Sequence, residues 1–137
     1  MDEKPFYLPI SLGGRRVDRQ SRRAVWAHFY PAPDLPGRWI GHCLDADIVT
    51  QGDSFEGVQA MLREAVAMAW EHASHVAFMR AAPPSFWQEL WSIVDQGESS
   101  RQVRGDVADA KVVAVIEFTF QGKEVSSSRV RWTWTLR

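Results

Sequence analysis

From residue 24 onward the side chains alternate. Val25, Ala27 and Phe29 share one parity, and Trp26, His28 and Tyr30 the other, a period of two that predicts a strand. Three prolines and a glycine in P-A-P-D-L-P-G, residues 31–37, stop it and turn the chain. A second strand is expected over residues 38–44 and a shorter third over 47–50, with Asp45 as a turn residue between them. Ahead of these, Phe6, Tyr7, Leu8, Ile10 and Leu12 predict a short strand ending at Gly13 and Gly14.

After Gly52 the period changes to that of a helix. Phe55, Val58, Leu62, Ala65, Val66, Ala69, Trp70 and Ala73 recur at three- and four-residue steps and share one face, whereas Arg63, Glu64 and Glu71 fall off it toward solvent. Asp53 and Ser54 offer oxygens to the first unpaired N–H groups, and Glu56 sits at the positive end of the helix dipole. Pro83 and Pro84 open a second helix, with Trp87, Leu90, Trp91 and Val94 as its stripe and Gly97 at its end. Residues 98–110 are polar and aperiodic, the pattern of a loop. The chain then alternates again. Val112, Ala114, Ile116, Phe118 and Phe120 are expected on one face of a strand. Val130, Trp132, Trp134 and Leu136 are expected on one face of its partner, opposite Arg129, Arg131 and Arg137, across a long turn at Q-G-K-E-V-S-S-S.

The 137 residues suit a single domain, 1–137, comprising a core at 24–78, a second helix at 84–96 and a C-terminal hairpin at 111–136. The net charge of −1 gives no global field for nucleic acid or an anionic membrane. Apolar runs reach only about six residues, against the ~20 needed to cross a bilayer. The N-terminus has no secretion-signal pattern, and a cytoplasmic location is the expectation. One cysteine, Cys43, excludes an internal disulfide framework and a Cys-rich zinc site.

Candidate chemistry is sparse. His28, His42, His72 and His75 are dispersed and lack a matching Cys or carboxylate set, so no metal and no cofactor are expected. Asp45 and Asp47 are the one carboxylate pair a metal-dependent nuclease could use, but turn chemistry explains them more simply. Cys43 and His42 make no dyad, because adjacent strand residues face opposite ways. No phosphate loop, nucleophile elbow or H-E-x-x-H occurs, and the chain is expected not to be an enzyme. Two features suggest binding instead. The run G-R-R-V-D-R-Q-S-R-R holds Arg15, Arg16, Arg19, Arg22 and Arg23, read as a solvated loop. It could meet phosphate or an acidic partner protein, although no aromatic residue interleaves with it for base stacking. The chain also carries seven tryptophans, of which Trp132 and Trp134 in the last strand are candidate contacts.

The stretch W-I-G-H-C-L-D-A-D-I-V-T-Q-G-D-S-F-E-G-V-Q-A-M-L-R-E-A-V, residues 39–66, resembles the HicB antitoxin family. An apolar strand leads through an acidic turn to a strand ending in T-x-G-D. A helix follows that opens with Ser and carries Glu two residues on and Glu-Ala eight residues after that. Thr50, Gly52, Asp53, Ser54, Glu56, Glu64 and Ala65 occupy those places. The resemblance implies an α+β fold, a HicB-like antiparallel sheet packed on one main helix, here extended by a second helix and a C-terminal hairpin. It also implies a non-enzymatic role as an antitoxin, or an adaptor derived from one, that binds and masks a partner protein, typically a HicA-like toxin. The family generally adds a C-terminal DNA-binding unit. Here strands follow instead, so DNA binding is not expected, while self-association stays open. A structural subunit of a larger assembly is the alternative reading, with a nuclease third.

Overall fold

The computed structural model describes residues 7–9, 20–72, 80–103 and 105–137. Its strands are β1 (Tyr7–Pro9), β2 (Gln20–Pro31), β3 (Trp39–Cys43), β4 (Ile48–Gly52), β5 (Glu98–Ser100), β6 (Lys111–Gln121) and β7 (Glu124–Leu136). Two helices are described, α1 (Phe55–His72) and α2 (Pro84–Gln96). The strands form one antiparallel sheet in the order β4-β3-β2-β6-β7-β5, and β1 pairs beside the start of β2. The chain is therefore α+β.

The alternation predicted for β2 and β6 serves two cores. Val25, Ala27 and Phe29 of β2 join Val112, Ala114, Ile116 and Phe118 of β6 under Phe55, Val58, Leu62, Val66 and Trp70 of α1. Residues of the other parity, Trp26 and Val113, are buried on the opposite face under Leu90 and Ile93 of α2, with Trp91 and Trp134 packed around them. One helix covers each face.

The α1 start is built as its sequence requires. Ser54 Oγ accepts from the Gly57 N–H at 2.9 Å, and the Ser54 carbonyl accepts from Val58 N. Asp53 is used differently, accepting from Arg38 Nη1 at 2.6 Å. Gly52 ends β4 without a left-handed backbone. Glycine is needed because a Cβ there would lie 2.9 Å from Val58 Cα, so the strand meets the helix backbone directly. Gly97 is a similar close approach, since a Cβ would lie 2.7 Å from the Ile93 carbonyl oxygen.

Several expectations are corrected. β2 starts at Gln20, so Arg22 and Arg23 are strand residues rather than loop residues. Arg15, Arg16, Arg19 and His75 lie outside the described residues. Glu98–Ser100, expected in a loop, pairs with Thr133–Thr135 on the outer edge of β7. The long turn is a two-residue one, because Gln121 pairs with Glu124 and Gly122 takes φ 66°. Arg63 and Glu71 do not simply face solvent. Arg63 donates to Ser128 Oγ and to the Ser128 carbonyl, and Glu71 accepts from Val125 N, tying α1 to β7.

The last strand also departs from simple alternation. Val115 pairs with Trp132, but Ile116 pairs with Val130, so Arg131 is an inserted bulge residue. Val130 therefore packs toward α1, while Trp132, Trp134 and Leu136 share the α2 side with Arg129 and Arg131.

Two substitutions test this architecture. Ser54→Ala is expected to lower the urea-derived unfolding free energy by about 1 kcal/mol through loss of the cap. Gly52→Ala is expected to cost more, roughly 1–3 kcal/mol, because the β4 end must move off α1.

Candidate interaction surfaces

The carboxylates of the β3–β4 turn serve separate partners. Asp45 Oδ2 accepts from the Trp26 N–H at 2.7 Å, and Trp26 O accepts from Leu44 N, closing the stretch of the β2 edge between its pairings with β1 and β3. Asp47, at φ 54°, contacts His42 Nε2 at 2.7 Å. Among the described residues no three His, Cys, Asp or Glu side chains form a set able to hold a metal. Cys43 is fully buried on the α1 side, which pushes its thiol up to about 12, so it is a core residue and not a nucleophile.

His28 and His42 are directly opposed across β2 and β3 on the other face. Phe86 of α2 meets the His42 ring edge-on at 4.9 Å, and Tyr30 lies 4.7 Å from the His28 ring. His28 is 4% exposed, and its Nε2 has no hydrogen-bond partner among the described residues. Desolvation lowers its pKa to about 4, with Lys111 and His42 acting in the same direction and Glu89 opposing.

Arg22, Arg23, Trp132 and Trp134, named from the sequence, have distinct fates. Arg23 lies over the Trp70 ring, 4.8 Å from its centroid, on the α1 side. Trp134 is half-buried in the α2 core, its ring centroid 5.3 Å from that of Trp26 and its plane tilted by 31°. Trp132 is 37% exposed, and Arg22 is exposed on the same face. Between them lies a feature that sequence reasoning missed. Glu117, 3% exposed, accepts from Arg131 Nη1 at 2.9 Å and Arg129 Nε at 3.3 Å. Arg22, Thr119, Ser127 and Arg129 line a cleft beside Glu117. The missed signal is Glu117 itself, a lone acid at a buried-strand position.

A second surface lies at the other end of the sheet. β4 ends the strand order, so its outer edge is unpaired among the described residues, and Ile48–Gly52 carries no charge and no proline. Val49 on β4 is 55% exposed, and Phe86 (41%), Met61 (48%) and Leu35 (47%) are exposed on α2, α1 and the β2–β3 connection. Phe86 packs on His42, the cross-strand neighbour of Val49. Comparisons with protein-family models, curated proteins and solved structures found no match for this chain.

The His28 environment predicts acid sensitivity. Its folded pKa of about 4 lies below its unfolded value of 6.5, so neutral His28 carries its full stability contribution above 6.5 and loses it as pH falls toward 4. That gap corresponds to about 3 kcal/mol at low pH. Urea midpoints at pH 7.5 and 4.5 should diverge more for the parent chain than for His28→Leu.

Proposed function

We propose that this chain is a non-enzymatic protein-interaction module of HicB-like architecture, an antitoxin or antitoxin-derived adaptor, that holds an extended segment of its partner along β4. The free, uncharged β4 edge carries this reading. Its main-chain N–H and C=O groups can extend the sheet by one strand, while exposed apolar side chains above and below the edge receive alternate residues of the guest. Val49 and Phe86 are the exposed apolar residues toward α2, and Met61 is an exposed apolar residue of α1, the helix that packs against β4. The strand–turn–strand–helix unit from Trp39 to His72, with its Ser54 cap and close Gly52 contact, keeps that edge rigid. Asp45 and Asp47 are engaged by the β2 backbone and by His42, which supports binding over hydrolysis at this turn.

Co-expression with the product of the adjacent open reading frame tests the proposal. Relief of a growth arrest caused by that product, together with a stable co-purifying complex, is the expected result. Val49→Lys and Met61→Lys alter exposed side chains, so each should leave the melting temperature nearly unchanged while weakening the complex about tenfold or more. Affinity unchanged from the parent chain in both variants rejects the β4 edge. A non-toxic neighbour that joins the chain in a larger particle supports the assembly-subunit reading instead.

A further inference from the structure

We propose that the open half of the α2-side sheet face binds single-stranded nucleic acid. The arginine run lacks an aromatic neighbour in sequence, but the fold supplies one from a distant strand. Arg22 pairs with Thr119, and Trp132 pairs with Val115, so the two residues share one face, four positions apart along β6 (roughly 13 Å) and two strand spacings apart across it (roughly 10 Å). Arg129 and Arg131 lie between them. Glu117 anchors both from below, while their side chains remain 67% and 42% exposed. A guanidinium has five N–H donors, so both keep outward donors for a phosphate, in a position fixed before any ligand arrives.

The charges in the patch are those of Arg22, Arg129 and Arg131 against Glu117, a local excess of cations in a chain whose net charge is −1. Arg22 makes no ion pair among the described residues. Thr119 and Ser127 add hydroxyl groups along the cleft. Exposed Trp132 gives a base a stacking surface at the α2 border, and the arginines track the backbone from there toward Arg22. An acidic peptide would use the guanidiniums but leave the indole without a planar partner. A duplex keeps its bases stacked and cannot use Trp132. The span accommodates about two nucleotides. This surface is separate from the β4 edge, so either assignment can fail without the other.

Fluorescence anisotropy tests it with labelled ten-nucleotide oligouridylate, the same length of RNA duplex, and an oligoglutamate peptide. The single strand should bind best, with a log–log salt slope of about −1.4 for two phosphates. Arg22→Gln should reduce that slope by about 0.7, and Trp132→Ala should weaken binding about fivefold or more, with melting temperatures preserved for both. Three results would overturn the proposal: no single-strand binding at low salt, binding that neither substitution alters, or equal and Arg22-dependent binding of oligoglutamate.

Discussion

The rest of the structure depends on the β2–β6 strand pair, which must satisfy two cores at once. Val25, Ala27 and Phe29 are committed to α1, and Trp26 is committed to α2, so a one-residue slip would exchange the two sets and drive His28 into the α1 core. Register is therefore strongly specified over this stretch. The helices cannot cover everything the strands present. The 13 residues of α2 span about 20 Å as a helix, whereas the 13 residues of β7 span about 43 Å as a strand. One half of that sheet face is roofed and the other is left to polar side chains.

Where apolar cover runs out, each buried polar group has its own solution. Asp45 completes hydrogen bonding at Trp26 where β3 leaves the β2 edge. His28 remains neutral at ordinary pH, as its depressed pKa requires, beneath the start of α2. Glu117 stays charged-partnered at the margin of the roofed half by drawing in two arginines. Each of these groups therefore has a structural role before any ligand is considered.

Local patterns in the sequence were sufficient for α1, its Ser54 cap and the single-face alternation of β6, because each is determined by neighbours within a few residues. Features that depend on distant partners were not legible. The β5 strand is a polar tripeptide whose pairing comes entirely from Thr133–Thr135. Arg63 and Glu71 read as solvent-facing on a helical wheel, yet β7 runs alongside α1 and accepts both. Arg22 and Trp132 were singled out by type. What could not be foreseen is that Arg129 joins them on that face, because alternation counted through β7 misses the residue inserted at 131.

That insertion is itself informative. With Val130 opposite Ile116 and Trp132 opposite Val115, a ladder without residue 131 would keep both side chains on the faces they now occupy. The bulge therefore changes neither core; it adds one arginine. The added guanidinium makes the shorter of the two contacts to Glu117, 2.9 Å against 3.3 Å for Arg129. A buried carboxylate left with one exposed partner would be poorly compensated, because removing part of such a pairing strands charge away from water. The two arginines make the acid tolerable, and the acid in turn holds their planes fixed on an otherwise open sheet. Stability alone would be served as well by an apolar residue at position 117, as at its same-face neighbour Val115. A charged trio assembled by a dedicated insertion is better explained by the outward-facing donors it keeps in place.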